Sequence, residues 1–265
     1  MRKILRGHVF NIRFLFTLCL GFAYAATNAQ VSGTFTINSA VATGGTNFQT
    51  FSAAVASLSA GVNGAVIFNV QAGSGPYNEQ VIINSITGTS AANTITFNCN
   101  GVTIKYLSTN SNQRAVVKLN GADYVTFDNL TVTPLASTGG QYGYGFHLLN
   151  DADNNTIKNC HITNLNDYNN TDDHEGIVIN GNNGVSYDVG NSLCDNNLIQ
   201  NNTITGGSTG ITLSSIPASG AGVFMTGNKV IGNTISNTDV YGIQMHYNDG
   251  AVIDGNDLSG GPDAI

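Results

Sequence analysis

Asp167, Asp172, Asp173, His174 and Glu175 fall within nine consecutive positions of a chain in which only 9% of the 265 residues are Asp, Glu, Lys or Arg. Carboxylates at this density suit two chemistries. Their oxygens can ligate a hard cation, which makes Asp167, Asp172, Asp173 and Glu175 a candidate Ca²⁺ set. Alternatively, two carboxyl groups facing one glycosidic bond divide the work of acid and base, with Asp172, Asp173 and His174 as catalytic candidates. The same residues also make a solvated polar turn, and these readings stay open on sequence alone.

His161 is a further candidate for proton transfer. Removal of a proton α to a carboxyl needs such a base, and cations to neutralise that carboxyl. His161, His147 and Lys158 fall on one turn of the repeat described below, or nearly so, and Ca²⁺ would supply further positive charge. Tyr168 joins Asp167, Glu175, His147 and Lys158 as a ligand-binding candidate, because an aromatic face stacks on a sugar ring. Tyr142, Tyr144, Tyr187, Tyr241 and Tyr247 also lie in or beside turns, where they equally serve to pack the turn. The run Tyr247-Asn248-Asp249-Gly250 has turn composition.

Charge and cysteine usage exclude other classes. The net charge is −7, and four of the nine basic residues, Arg2, Lys3, Arg6 and Arg13, precede an apolar run over residues 14–22. Ala23-Tyr24-Ala25 follows, the small-x-small pattern of a secretory cleavage site. The expectation is a signal peptide over 1–25, cleaved there or as late as 29, and a secreted or cell-surface protein. The apolar run is about half of what a membrane span needs. The mature balance is then 5 basic against 16 acidic residues, or −11, with Arg114 as the one remaining Arg. Nucleic acid and anionic membranes are unsuitable partners for such a surface. Cys99, Cys160 and Cys194 are an odd set with no C-x-x-C or H-x-x-x-H spacing, so neither a disulfide framework nor zinc is expected.

What must position these groups is a repeat. The phrases FNCNGVT (97–103), FDNLTVT (127–133), IKNCHIT (157–163), IQNNTIT (199–205), VIGNTIS (230–236) and IDGNDLS (253–259) recur with their second apolar residue at Val102, Val132, Ile162, Ile204, Ile235 and Leu258. The intervals are 30, 30, 42, 31 and 23 residues. A second phrase is interleaved: Val117-Lys118-Leu119, Phe146-His147-Leu148, Ile177-Val178-Ile179, Ile211-Thr212-Leu213 and Ile243-Gln244-Met245. Short alternating β-branched runs bounded by Gly and Asn predict strands, and strands recurring once per coil bury their inward rows by stacking into a parallel β-solenoid. The abundant Asn then has work to do, since the chain holds 36 of them. Asn129, Asn159, Asn201, Gly232 and Gly255 suit left-handed bends. Asn100, Asn202, Asn233 and Asn256 suit an amide ladder, and Thr103, Thr133, Thr163, Thr205, Ser236 and Ser259 a hydroxyl column. Lys118, His147, Val178, Thr212 and Gln244 are expected on the outer face. Upstream, Thr46-Asn47-Phe48-Gln49 has the form of a capping box before Phe48, Phe51, Val55 and Leu58, which predicts a short amphipathic helix over the open end of the core.

The capping helix, the strand at 65–70, the phrase Gly75-Pro76-Tyr77-Asn78-Glu79-Gln80-Val81-Ile82-Ile83 and the Asn-rich coils together resemble the right-handed parallel β-helix superfamily that includes pectin lyases, polygalacturonases and pectin methylesterases. In composition the chain is similar to β-helix proteins exported by Bacteroidetes-type bacteria. The resemblance covers residue 46 to the end and implies an all-β, right-handed solenoid with polysaccharide contacts in a groove along one strand face. Asn170-Thr171-Asp172-Asp173-His174 is similar to part of the polygalacturonase pattern, but that family's Gly-His-Gly and Arg-Ile-Lys are missing, as is the Arg, Asp and Gln set of pectin methylesterases. The organisation expected is a cap with first coils over 30–96 and repeats over 97–265, with further coils beyond. The expected function is a monomeric extracellular module that contacts polysaccharide; the alternatives are a polysaccharide lyase or glycoside hydrolase, and a structural stalk or adhesin segment.

Overall fold

The structure, a computed structural model, describes residues 30–137, 140–165, 172–184, 186–187, 190–216 and 223–260. Among these, the named strands pair in parallel and form three long sheets. The first holds Val31–Ile37, Val62–Val70, Ile95–Asn98, Val125–Asp128, Thr156–Lys158, Leu198–Gln200, Lys229–Ile231 and Val252–Asp254, with Asn47–Phe48 on its edge. The second holds Tyr77–Asn78, Thr103–Tyr106, Thr131–Pro134, His161–Thr163, Thr203–Thr205, Thr234–Ser236 and Asp257–Gly260. The third holds Val81–Asn84, Ala115–Asn120, Gly143–Leu149, His174–Ile179, Thr209–Ser214 and Tyr241–His246. One strand of each sheet, in chain order, makes a coil, so the described residues complete six coils from Val62 to His246 and begin a seventh. This is the parallel β-helix that the repeats imply.

Stacking puts like residues above one another. Phe35, Phe68, Phe97 and Phe127 are register partners, and the Phe97 and Phe127 rings stack at 4.8 Å with 5° between planes. The column continues as Ile157, Ile199, Val230 and Ile253, so the first phrase reads correctly at its Phe or Ile. The second phrase is confirmed throughout, from Val117 opposite Phe146 to Ile211 opposite Ile243. Gly145, Gly176, Gly210 and Gly242 precede the later copies of this phrase, and close packing requires the glycine: a Cβ on Gly176 would sit 2.2 Å from the Gly210 carbonyl oxygen and 2.6 Å from Ile204 Cγ2.

Asparagine does two jobs at the bends. Asn129, Asn159 and Asn201 adopt φ of 56°, 54° and 54°, and Gly232 and Gly255 take the same place at 67° and 63°. In the next position the amides form a ladder: Asn202 Oδ1 accepts from Cys160 N, Asn233 Oδ1 from Asn202 N and Asn256 Oδ1 from Asn233 N, at 2.8–2.9 Å. Asn202 Nδ2 also donates to the Ile157 carbonyl at 2.9 Å. A second ladder, not singled out in the repeat phrases, runs through Asn155, Asn197 and Asn228, whose Oδ1 atoms accept from Val125, Asn155 and Asn197 N–H groups at 2.9 Å. Beside it Asp123, Asp153 and Asp195 accept from the N–H groups of Asp153, Asp195 and Thr226 at 2.7–2.8 Å.

Three expectations need correction. Val132 stands opposite Ile104, not Val102, and Thr131 opposite Thr103, because the first bend is longer: Asn100 and Gly101 both have positive φ. Asn100 therefore sits at a left-handed bend and donates to the Val70 carbonyl rather than joining the amide ladder. At the cap, the helix is Phe51–Ser57 and its N-cap is Thr50, whose side chain accepts from Ala53 N at 3.0 Å. Phe48 belongs to a strand paired with Ile37. The true partner of the helix start is Glu79, whose carboxylate accepts from Phe51 N and Ser52 N at 2.9 Å, as a negative charge at a helix N-terminus should. Phe51 then packs edge-on against Tyr77 at 5.0 Å and over Phe97, closing the core end.

Among the described residues no helix is long and apolar enough to cross a membrane. Cys99, Cys160 and Cys194 are unpaired and buried, and burial raises the Cys160 thiol to about 12 and the Cys194 thiol to about 11. Residues 1–29 and 261–265 lie outside the described residues.

The bends and ladders generate three predictions. Asn202→Ala strands the Cys160 N–H and the Ile157 carbonyl, and is expected to lose about 2–4 kcal/mol in urea unfolding; Asn201→Gly, a residue that later coils carry at that bend, is expected to lose under about 1 kcal/mol. Burial, with Asp123, Asp195 and Asp151 nearby, raises the Asp153 carboxyl to about 6. A raised carboxyl destabilises the folded state when ionised, so this penalty is full above about pH 6 and fades as pH falls toward the unfolded value near 3.8. Asp153→Asn should raise the Tm at pH 7, with a difference that vanishes near pH 4.

Candidate functional site

Register places the outward residues of the third sheet in rows. One row is Ala115, Tyr144, Glu175, Thr209 and Tyr241; the next is Lys118, His147, Val178, Thr212 and Gln244; Ser214 and His246 end a third. The expected column is thus correct in register but not in exposure. From Ala115 to Ser214 these side chains are buried, His147 to 1% exposure. Described residues of the insertions, among them Asp172, Asp173, Asn183 and Ser186, reach over the sheet and roof it.

The roof is held by polar contacts. Tyr144 Oη donates to the Asp172 carbonyl at 2.9 Å. Arg114, buried and lying 4.3 Å over the Tyr142 ring, pairs with Asp173. Lys118 Nζ donates to the Asn112 carbonyl at 3.1 Å and to Asn183, and burial lowers its pKa. His147 Nε2 lies 2.8 Å from Asn180 Oδ1. Glu175, on the strand His174–Ile179 rather than in a turn, accepts from Ser186 Oγ at 2.9 Å and Thr212 Oγ1 at 3.1 Å. Burial holds its carboxyl well above the usual range, only partly opposed by those hydroxyls. Ala115, Tyr144 and Val178 form a small apolar cluster under the same roof.

Among the described residues the roof stops at the strand Thr209–Ser214. Its outward residues Thr209, Thr212 and Ser214 are buried, whereas Tyr241, Gln244 and His246 on the next strand are partly exposed. At this step lies an open cleft of about 210 Å³ lined by Asp172, Tyr187, Val240, Tyr241 and Gln244. Asp172 reaches it from a left-handed residue with φ of 51°, and its Oδ1 accepts from Ser208 Oγ at 3.3 Å.

The candidates are therefore dispersed. Asp172 lines the cleft, Asp173 is taken by Arg114, and His174 and Glu175 are buried beneath the roof. His161 is exposed on the second sheet between Thr131 and Thr203. Lys158 is on the first sheet, 3.2 Å from Asp128. His147 and His161 lie on adjacent coils as expected, but the corners of the solenoid turn His147, His161 and Lys158 to three different sheets, where they do not form one site. Among the described residues no group of three His, Cys, Asp or Glu side chains is placed to hold a metal; Asp167 and Tyr168 lie outside them.

A family model described as a right handed beta helix region matches residues 93–265. The chain belongs to the right-handed beta helix family. Comparison with curated proteins and with solved structures gives no match. The fold is that of a pectin-lyase-like module in general terms, and the chemistry of this β-helix has to be read from its own residues. Its cleft offers one carboxylate, an amide and two phenol rings. Such a set stacks on and hydrogen-bonds a polyhydroxylated ring. Glycoside hydrolysis by a carboxyl pair would need a second carboxyl facing the first, and among the described lining residues Asp172 is the one carboxylate. What sequence reasoning missed is the pairing of Asp172 with Tyr187, Tyr241 and Gln244. The signal was available: Gln244 ends the outward row, and Tyr241 precedes it on the same strand.

Burial lowers His147 to about 4, with Lys118 and Arg114 acting in the same sense. Because the unfolded imidazole titrates near 6.5, the unfolded chain binds the extra proton first as pH falls from 6.5 toward 4. Stability on the order of 3 kcal/mol is lost across that window from this group. In urea titrations, His147→Gln should make the dependence of stability on pH over this window shallower than in the native chain.

Proposed function

We propose that this β-helix is an exported module that binds extracellular polysaccharide in the cleft formed by Asp172, Tyr187, Tyr241 and Gln244. The observation that carries this reading is the abrupt opening of the third sheet at Tyr241–His246, where two tyrosines, a carboxylate and an amide share a small concavity. Export is supported by the basic, apolar and small-residue order of residues 1–25. Binding is favoured over bond cleavage because Asp173 and Glu175 are engaged elsewhere.

Affinity electrophoresis through gels containing individual polysaccharides tests the reading, with unsaturated products and new reducing ends followed in parallel. Retardation by at least one polymer is expected, reduced about tenfold or more in affinity by Tyr241→Ala and less by Asp172→Asn, with no product formed. Retardation unchanged by both substitutions would overturn the site, and product formation lost with Asp172→Asn would replace binding by catalysis. Dependence of retardation on Ca²⁺ would reinstate the carboxylate set, Asp167 included, as a cation site.

A further inference from the structure

Beyond the cleft, the strand Tyr241–His246 leads to a second aromatic feature. Tyr247 has φ of 53° and turns the chain at the strand's end, where the pairing of Met225 with Asn248 brings Phe224 beside it. The two rings lie 5.5 Å apart at 55°. Phe224 is 48% and Tyr247 43% exposed, and Tyr187 at the other end of the strand is 44% exposed. Between the ends lie Gln244 and His246, both partly exposed. Large aromatic rings kept at the surface on both sides of a polar floor call for a ligand with apolar ring faces and polar edges.

The two aromatic ends and the roof set the direction. A ligand running from Gln244 along the axis toward the earlier coils would meet Thr212, Val178 and His147, all buried under inserted residues. Across the axis the strand is open. From Tyr241 to Tyr247 the distance is about 20 Å at strand rise, room for about four sugar rings. The charge of the surroundings limits the ligand: the chain's net charge is −7, the cleft carries Asp172, Asp249 is exposed beyond Tyr247, and Lys118 and Arg114 are buried under the roof. A polyuronate would be repelled where a neutral glycan is not.

We infer that the ligand is a neutral glycan chain that lies across the solenoid axis along Tyr241–His246, stacked near Tyr187 and Tyr241 at one end and on the Phe224–Tyr247 pair at the other. This inference rests on the proposed binding function and adds a second subsite, a direction and a substrate class to it.

Isothermal titration of the mature protein with length ladders of neutral gluco-, manno- and xylo-oligosaccharides, and with oligogalacturonides, provides the test. Affinity for one neutral series should climb until about four units and then level off, with oligogalacturonides weaker at equal length. Phe224→Ala and Tyr247→Ala, both exposed and checked for native circular dichroism, should weaken the tetrasaccharide about tenfold and leave the disaccharide unchanged. Tyr241→Ala should weaken both. A neutral series whose affinity stops rising at the disaccharide, tetrasaccharide binding indifferent to Phe224 and Tyr247, or preference for oligogalacturonides would each overturn this inference while leaving the cleft as a binding site. Absence of binding to any glycan would overturn the proposed function and this inference together.

Discussion

The constraint on which everything else rests is that each coil presents its neighbour with the same backbone about 4.8 Å away. At that distance an inward side chain has to pack against its own equivalent, which selects flat Phe rings and β-branched residues, and a bend has to satisfy its amides upward and downward. Asparagine meets the second demand with one side chain: Oδ1 accepts from the N–H of one neighbouring coil and Nδ2 donates to a carbonyl. The ladders of Asn202, Asn233 and the half-buried Asn256, and of Asn155, Asn197 and Asn228, are polar networks with their members satisfied, the condition under which such a network specifies a fold instead of weakening it.

The same regularity explains why a buried Arg, a buried Lys and a buried Glu gather on one face. A bare sheet face repeats like everything else and offers no pocket. Insertions break the repeat, and because they lie over an outward row they need partners there. Arg114 with Asp173, Lys118 with Asn183, and Glu175 with Ser186 supply them. The charged residues that look most like chemistry in the sequence are thus engaged in fastening loops, and the cleft arises where the fastening ends.

Inward residues were legible because each recurs. Phe97 and Phe127, or Ile211 and Ile243, can be aligned by eye and are register partners. The failures are local: two residues more in the bend after Cys99 shift Val132 from Val102 to Ile104, and Thr50 displaces Thr46 as the helix cap because Glu79, 28 residues from Phe51, supplies the competing contact. For the candidate site, the acidic run marked the right neighbourhood through Asp172. Burial of Glu175 and His147 was not legible, because the residues that cover them come from elsewhere in the sequence and obey no period.

The edge of the roof also has an evolutionary consequence. A coil is a self-contained unit whose contacts are almost all with the units on either side, so duplication or deletion of one coil can preserve the ladders and the Phe and Ile columns. Such an event between Ile179 and Tyr241 would slide the first uncovered strand relative to Asp172 and Tyr187 by a whole step. Copy number, rather than point substitution, then becomes the coarse control on the shape of the cleft in related chains, with side-chain changes on the exposed strand left to tune it.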